Sequence, residues 1–279
     1  MILENDVLRV EISSLGAEVR SIFDKTKGRE LVWSGDSSWW NRVSPVLFPI
    51  VGSLNNKKFR YQGNEYEMMN HGFLRDTEMD LVSSNDSEVW YELESNSETK
   101  KMYPFDFVVR VGYVLRDNVL DVKWNVLNTS SDEMYFSIGA HPSFLAEEGD
   151  KFVIESKGVT NRYPVTDNGI DAPYEEVVSE VIIEPSVFVD DALVYDNTSA
   201  TTLITKKADI RVTYDNFMYI GLWASIKNGE MSPFVCIEPW VGIADFVGFD
   251  GDLNDKVGMV KLNSKEENAY IYSIEITSK

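Results

Sequence analysis

The sequence predicts an all-β protein, built as an antiparallel sandwich or barrel, on three observations. Apolar and polar residues alternate along much of the chain, as in 8–12 and 120–126, and this period of two is typical of strands with one buried face. Turn-forming residues separate these runs, and no helical pattern of comparable length lies between them. Many short strands without intervening helices favour an antiparallel architecture over a parallel α/β sheet.

Two hairpins are predicted where turn residues divide alternating runs. Gln62-Gly63-Asn64 separates residues 58–61 from 65–68, and Arg116-Asp117-Asn118 separates 107–115 from 119–126. Further strands are predicted at 88–94, 133–137, 151–155, 201–205, 210–214, 219–224, 234–237 and 269–276. No glycine- or serine-rich linker interrupts the pattern, so we expect a single domain over residues 1–279.

Composition limits the partners and the compartment. The net charge of −20 would repel phosphate backbones and anionic headgroups, so we expect neither nucleic acid nor a membrane surface as a partner. The amino terminus lacks a basic segment followed by a long apolar run, and the single cysteine, Cys236, fits a reducing compartment, so a cytoplasmic location is expected. One cysteine and two histidines argue against a Cys/His zinc site, and no metal is expected.

Polar side chains beside Gly or Pro mark the candidate site. His141 lies in Gly-Ala-His-Pro-Ser and His71 in Asn-His-Gly-Phe-Leu-Arg, so both histidines are placed at chain corners, where loops carry side chains into clefts. Glu238 follows the apolar run 234–237 and precedes Pro239, a position where desolvation would raise the carboxyl pKa and suit a general base. Buried structural histidines and ion pairs also occur at such positions, and Cys236 is interpreted as a small buried hydrophobe.

Aromatic residues near the same corners point to carbohydrate. A sugar site combines aromatic faces with planar hydrogen-bonding groups such as carboxylate, guanidinium and imidazole, although core packing is the commoner use of aromatic rings. The candidate aromatic set is Trp33, Trp39, Trp40, Phe73, Trp223 and Trp240.

Five motifs, in order along nearly the whole chain, resemble the aldose 1-epimerase (galactose mutarotase) family, and within it the LacX-like branch. They are PVLFPIVG, HGFLRD, GAHPSF, DDALVY and IEPWVG, and the stretch Leu15-Gly-Ala-Glu18 also matches. The resemblance implies a large antiparallel β-sandwich, the galactose mutarotase-like supersandwich, with a sugar cleft on one sheet.

The resemblance also implies a reaction that needs no cofactor. Glu238 would act as general base on the anomeric hydroxyl and His141 as general acid on the ring oxygen, so that the ring opens and closes as the other anomer. Such chemistry needs two groups in opposite protonation states on either side of one centre.

Substrate-binding roles are carried over in the same way. His71 would bind near the ring oxygen, Arg75 would orient substrate oxygens, and Asp191 would orient the sugar, with Asp190 as the alternative because the register is uncertain by one. Trp240 is added from the aromatic set named above, as a face for the sugar ring. Arg42 matches an arginine of the hexose-6-phosphate branch, so an Arg42 and Arg75 pair could bind phosphate.

The leading prediction is therefore a mutarotase that acts on a small-molecule sugar, a hexose or hexose phosphate, as a monomer or homodimer. The alternatives are a hexose-6-phosphate 1-epimerase and a non-catalytic carbohydrate-binding or sensing protein. A glycoside hydrolase is a weaker alternative because it would need two carboxylates flanking the glycosidic bond.

Overall fold

The computed structural model describes residues 1–279, which form 28 β-strands, four short 3-10 turns and one α-helix, α1 (Thr99–Met102). The strands are, in chain order, β1 (Ile2–Glu4), β2 (Leu8–Ile12), β3 (Val19–Asp24), β4 (Arg29–Glu30), β5 (Val46–Leu47), β6 (Lys58–Tyr61), β7 (Asn64–Glu67), β8 (Asp80–Ser84), β9 (Glu88–Glu94), β10 (Phe107–Arg116), β11 (Val119–Asn128), β12 (Met134–Phe136), β13 (Ile138–Ala140), β14 (Ser143–Leu145), β15 (Lys151–Ser156), β16 (Thr160–Thr166), β17 (Gly169–Ile170), β18 (Tyr174–Glu176), β19 (Glu180–Ile182), β20 (Leu193–Asp196), β21 (Thr198–Ile204), β22 (Ala208–Thr213), β23 (Tyr219–Trp223), β24 (Ile226–Lys227), β25 (Glu230–Met231), β26 (Phe234–Val241), β27 (Val260–Leu262) and β28 (Glu267–Ser278).

Two nine-stranded antiparallel sheets dominate the fold. The first runs β19-β15-β21-β22-β28-β11-β10-β9-β8. The second follows the path β17-β16-β20-β23-β26-β13-β5, with β14 paired to β26 and β18 paired to β16. A four-stranded sheet, β1 to β4, and three two-stranded sheets, β6-β7, β12-β27 and β24-β25, complete the structure. No helix has the length and the hydrophobicity needed to cross a bilayer.

Alternation along the strands builds one large core. Leu120, Val122, Trp124 and Val126 of β11 are all buried, as their period of two predicts. They join a cluster of 63 buried apolar residues to which both large sheets contribute, including Val235, Ile237 and Val241 of β26. The antiparallel β-sandwich predicted from the sequence is therefore confirmed.

The central strand of the second sheet differs from its prediction. The pattern predicted a strand at 234–237 that ends before Glu238, whereas β26 continues to Val241 and is buried throughout. The Trp240 carbonyl accepts a hydrogen bond from the Met218 N–H on the β23 side, and the backbone groups of the preceding residue point to the opposite side. The Pro239 nitrogen therefore faces the other neighbour, β13, whose pairing with β26 ends at Gly139. Pro239 is tolerated inside the strand because no hydrogen bond from an N–H is needed at that position.

The predicted strand at 133–137 is shorter in the structure, where it ends at Phe136, and a further strand follows it. Met134–Phe136 pairs with β27, whereas Ile138–Ala140 pairs with β26 and β5. The break falls at Ser137, whose hydroxyl accepts a hydrogen bond from the Val51 N–H at 2.8 Å. The second of these strands ends immediately before His141, as the Pro142 that follows it predicts.

Candidate active site

His141 and Glu238 face each other across two adjacent strands. Gly139 pairs with Trp240 and Ser143 pairs with Cys236, so the same antiparallel register places His141 opposite Glu238. Their side chains meet, with 3.2 Å between His141 Nε2 and Glu238 Oε2. The two residues that the sequence predicts as acid and base are thus in direct contact, although 97 positions separate them in the chain (238 − 141).

Burial sets the electrostatics of this pair. Only 7% of His141 and 1% of Glu238 is exposed. Desolvation raises the pKa of the Glu238 carboxyl well above its ordinary value, and the negative charge of Asp191 raises it further. Desolvation, together with nearby His71 and Arg75, lowers the pKa of the His141 imidazole well below its ordinary value. Burial therefore favours the neutral form of each group.

Cys236 completes a small buried cluster with this pair. Its Sγ and the ligating atoms of His141 and Glu238 all lie within 4.8 Å of one another, a grouping that could hold a metal ion. Burial and the adjacent Glu238 raise the pKa of the Cys236 thiol well above its ordinary value. Because the thiolate is the form that binds metal, a protonated thiol suits the predicted role as a small buried group better than a ligand role.

His71 presents one defined ring nitrogen to the site. The Gly52 N–H donates to His71 Nδ1 at 3.1 Å, and the His71 backbone N–H donates to the Gly52 carbonyl at 2.9 Å. Burial, with help from Arg75 and Arg42, lowers the His71 pKa to about 3. The ring is therefore neutral, and because Nδ1 accepts, its proton is on Nε2. The ring centre lies 5.6 Å from that of His141, so this donor is next to the His141 and Glu238 pair.

Arg75 and Arg42 lie near His71, and both guanidinium groups approach the carboxylate of Asp76. Arg75 Nη2 donates to the Asn70 carbonyl at 2.7 Å, and its Nε is buried without a hydrogen-bond partner. Arg42 Nη2 bonds Asp76 Oδ1 at 2.7 Å, while Arg75 Nε lies 3.8 Å from Asp76 Oδ2. Arg42 thus has the carboxylate partner that a structural role would give it.

Asp191, rather than Asp190, influences the Glu238 carboxyl. Its charge raises the pKa of Glu238, so the two carboxyls are close in space. Although Asp191 keeps solvent contact, its packed surroundings raise its own pKa, and hydrogen bonding from the Ala192 N–H and from the Trp223 side chain opposes this effect. Asp191 also has a left-handed backbone, with φ of 79°. Asp tolerates this conformation better than most residues do.

Trp240 lies on the same face of β26 as Glu238 and is packed between two glycines. A Cβ atom on Gly139 or on Gly221 would lie 2.8 Å from the Trp240 ring. The side chain is 6% exposed and packs with Leu47 and Val51, and its Nε1 has no hydrogen-bond partner.

The other predicted aromatic residues divide between the site and the core. Trp40 lies over His141 with 4.7 Å between ring centres, and Trp223 meets His141 at 5.6 Å. Trp33 fixes the backbone of Trp40, because its Nε1 donates a hydrogen bond to the Trp40 carbonyl at 2.7 Å. Phe73 instead packs against Phe48 in the main core, the alternative use of aromatic rings that the sequence left open.

The sequence did not indicate how Glu18 supports the site. Its Oε1 accepts hydrogen bonds from the backbone of Val43 at 2.7 Å and of Ser44 at 2.9 Å, and the residue is buried. These bonds fix the segment that carries Arg42. The signal available in the sequence was the stretch ending in Glu18 that matched the family, but no residue pattern assigned it a partner.

Known proteins resemble this chain in sequence and in structure. The family model described as aldose 1-epimerase matches residues 1–242. The plasmid-encoded protein LacX of Lactococcus lactis subsp. lactis is 30% identical over 98% of each chain. A galactose mutarotase related enzyme from Lactobacillus acidophilus is 32% identical, with a TM-score of 0.95 over 100% of this chain and 97% of its own. A galactose mutarotase-like protein from Lactobacillus casei is 27% identical, with a TM-score of 0.92 over 99% of both.

These matches confirm the family resemblance and the galactose mutarotase-like fold, and they identify the protein as an isomerase that acts on sugars. The sequence matches and the structural matches extend over nearly the full length of the chain. The chain belongs to the aldose 1-epimerase family.

Proposed function

We propose that this protein is an aldose 1-epimerase that interconverts the α and β anomers of a hexose, with Glu238 as base and His141 as acid. The observation that carries the proposal is the 3.2 Å contact between His141 Nε2 and Glu238 Oε2 in a buried site. An isolated acid and base pair of this kind can remove a proton from one sugar oxygen while it supplies one to another.

The reaction conserves protons, because the enzyme removes one from the anomeric hydroxyl of the sugar and supplies one to the ring oxygen. The Glu238 carboxylate accepts the proton of the anomeric hydroxyl, the protonated His141 donates to the ring oxygen, and the C1 to ring-oxygen bond breaks to leave an open-chain aldehyde. Rotation about the C1–C2 bond presents the other carbonyl face, and the reverse transfers close the ring as the opposite anomer. Burial favours the proton on Glu238 at rest, and the direct contact provides the path that moves it to His141.

The neighbouring groups fit the roles proposed for them. The neutral His71 can donate a hydrogen bond through Nε2, and Asp191 lies where it can accept from a sugar hydroxyl close to Glu238. His71 and Asp191 both have positive φ, 65° and 79°. Left-handed backbone at residues other than glycine costs energy and is concentrated at functional sites, which supports a substrate-binding role for both.

The test is polarimetry of freshly dissolved α-D-glucose and α-D-galactose with wild type and with Glu238→Gln. We expect wild type to accelerate mutarotation and the variant to lose roughly 10²–10⁴ of that acceleration, the scale of a positioned proton transfer. Traces in buffer correct for the spontaneous reaction. Equal acceleration by wild type and variant would show that Glu238 is not the base.

The arginines favour a second candidate, a hexose-6-phosphate 1-epimerase. Arg75 Nε is a buried donor without a hydrogen-bond partner, and Arg42 lies close enough to lower the Arg75 pKa. A phosphate would displace Asp76 from these two guanidinium groups and bind them bidentately. Saturation by glucose 6-phosphate that is lost in Arg75→Ala, with free glucose turned over poorly by wild type, would select this candidate.

A further inference from the structure

The aromatic ring that covers His141 belongs to a loop outside the sheets. Between β4, which ends at Glu30, and β5, which begins at Val46, the chain forms no strand. Residues 35–43 of this stretch, here called the tryptophan loop, contain Trp40, whose ring centre lies 4.7 Å from that of His141 at an interplanar angle of 31°. Because no sheet ladder fixes this loop, other contacts must set the position of Trp40.

The two ends of the tryptophan loop lie against each other. A Cβ atom on Gly35 would lie 3.3 Å from Val43 Cγ2 and 2.8 Å from Arg20 Nη2. The Val43 N–H donates to the buried Glu18 carboxylate at 2.7 Å, and Arg20 donates to the same carboxylate at 2.9 Å. The ends are therefore fixed, as in other compact surface loops, and the position of residues 36–41 between them depends on further contacts.

Two side chains hold the middle of the tryptophan loop, one from the protein interior and one from the surface. In the interior, the Trp33 indole donates to the Trp40 carbonyl at 2.7 Å. At the surface, the ammonium of the exposed Lys227 donates to the Ser38 carbonyl and lies 5.6 Å from the centre of the Trp39 ring. Both kinds of contact are favourable, and both fall on the residues that directly precede Trp40.

A tight turn connects these contacts to the ring over the imidazole. The Asp36 carbonyl accepts hydrogen bonds from the N–H groups of Trp39 and Trp40, both at 3.1 Å. The Asp36 side chain accepts another from the Ser38 N–H at 2.8 Å. Because the three residues share Asp36 as acceptor, a displacement of Ser38 or Trp39 also displaces Trp40.

Lys227 projects from a hairpin whose geometry is fixed by its turn. It pairs with Glu230 across the two-residue turn Asn228-Gly229. The turn residues have positive φ, 54° and 81°, as a type I′ turn requires, and Asn-Gly is a favoured sequence for it. The hairpin, β24 and β25, connects β23 to β26, the strand that carries Glu238. Lys227 therefore links the tryptophan loop to the strands that form the site.

The partners of Lys227 are unusual for a surface lysine of this chain. The chain contains 46 acidic residues, with which an exposed ammonium can pair at the surface. Lys227 instead contacts a backbone carbonyl and an aromatic ring. Its contacts thus bind one particular segment of the chain, the tryptophan loop.

We infer that Lys227 is a positioning residue for the reaction at His141: it holds the tryptophan loop so that Trp40 covers the imidazole and keeps it directed at Glu238. This inference rests on the proposed function. Lys227 acts through Trp39 and Trp40 and takes no part in proton transfer. An imidazole that turns away from Glu238 slows the proton transfers, so the loss is expected in kcat more than in KM.

The experiment measures kcat and KM for mutarotation of glucose and galactose by polarimetry. Lys227→Met keeps the aliphatic stem and removes the donor and the charge, so kcat should fall about three- to tenfold, with KM changed by less than about twofold. Lys227→Arg keeps a cationic donor and should restore most of the rate. Lys206→Met is the matched control, because Lys206 lies between β21 and β22 of the other large sheet, 3.6 Å from Glu147, and is 83% exposed.

A double-mutant cycle tests the route through Trp40. Trp40→Leu should lower kcat by itself, and Lys227→Met should cause little further loss in that background, because the ring through which it acts is absent. Acrylamide quenching of tryptophan fluorescence gives a readout that does not depend on activity. Lys227→Met should increase the quenching, since Trp39 and Trp40 are partly buried in wild type, whereas Lys206→Met should not.

The possible results separate this inference from the proposed function. Wild-type turnover with an unchanged kcat in Lys227→Met would overturn the inference and leave the epimerase proposal intact. Equal losses from Lys227→Met with and without Trp40, or equal losses from Lys206→Met, would overturn it as well, because the effect would then arise by another route. A wild type that accelerates neither sugar would reject the proposed function, and the role of Lys227 with it.

Discussion

Glu238 illustrates how position changes the chemistry of an ordinary side chain. Its carboxyl is one of 46 acidic groups in the chain, most of which can be solvated at the surface. Only the burial on β26 and the proximity of Asp191 raise its pKa well above the usual range. The same burial acts in the opposite direction on His141, because desolvation penalises a cation as it penalises an anion.

The two neighbouring aspartates provide a test at the level of single residues. Asp191→Asn should lower kcat/KM for the hexose about 10- to 100-fold, the scale of one hydrogen bond to a charged group. Asp190→Asn is the control and should leave the monosaccharide rate near that of wild type, since Asp190 shows no coupling to Glu238. A larger loss in the Asp190 variant would reverse the register that we assign.

His71 should make the protein less stable in acid. Its pKa of about 3 in the folded state lies below the ordinary 6.5, so the unfolded chain binds the proton more readily. The stabilising contribution is complete above pH 6.5 and falls by about 1.4 kcal/mol for each pH unit below it, until the pKa of about 3 is reached.

The measurement is urea unfolding of wild type and His71→Asn between about pH 7 and pH 4.5, a range that begins above the ordinary histidine pKa. The difference in the free energy of unfolding between wild type and variant should shrink as the pH falls, because only wild type carries this penalty. A difference that stays constant with pH would show that His71 titrates normally in the folded protein.

At the level of elements, β26 positions the site because one of its faces packs in the main core and the other carries the site residues. Val235, Ile237 and Val241 enter the main core, whereas Cys236, Glu238 and Trp240 alternate with them on the cleft side. The neighbouring strands have small residues opposite two of these side chains, since Gly221 pairs with Glu238 and Gly139 pairs with Trp240. The glycines leave room for the indole ring of Trp240, which lies on the same face of β26 as Glu238.

Gly221→Ala tests this fit. The new methyl group would lie 2.8 Å from the Trp240 ring, so we expect a loss of roughly 1–3 kcal/mol in the free energy of unfolding, together with reduced mutarotation. Gly221→Ala combined with Trp240→Leu should lose less than the sum of the two single changes, because the smaller side chain relieves the clash. Additive losses in this double-mutant cycle would mean that the clash is relieved elsewhere.

The whole molecule carries a net charge of −20, and this charge should destabilise the compact state through self-repulsion. Raising NaCl from about 10 mM to about 150 mM shortens the screening length from ~30 Å to ~8 Å. We expect a gain of roughly 1 kcal/mol or more, seen as an increase in Tm of about 2–4 °C. Isosmotic sucrose separates charge screening from solute effects, and an unchanged or lower Tm in NaCl would contradict the expectation.

We propose that residues 1–279 form one domain, because each large sheet joins strands that are distant in sequence. The first sheet runs from β8, near residue 80, to β28, which ends at Ser278, and the second joins β5 to β26. The expectations of a monomer or homodimer and of a cytoplasmic location stay predictions.

The sequence by itself determined the strand content, the core faces and the family, because these depend on local periodicity and on ordered motifs. Residues 8–12 and 122–126 have the predicted alternation of burial, and the hairpin near Asp117 forms where its turn residues indicate. The motifs also singled out His71, His141, Asp191 and Glu238, each of which lies in or beside one cleft.

Only the tertiary structure decided how these residues work together. The pairing of β13 and β14 with β26 sets His141 opposite Glu238, and a pattern of single strands does not contain that register. The path of β26 through Pro239 and the proximity of Asp191 to Glu238 likewise depend on contacts between distant segments. The pKa values follow from burial, which is a property of the assembled sheets and not of any local stretch of sequence.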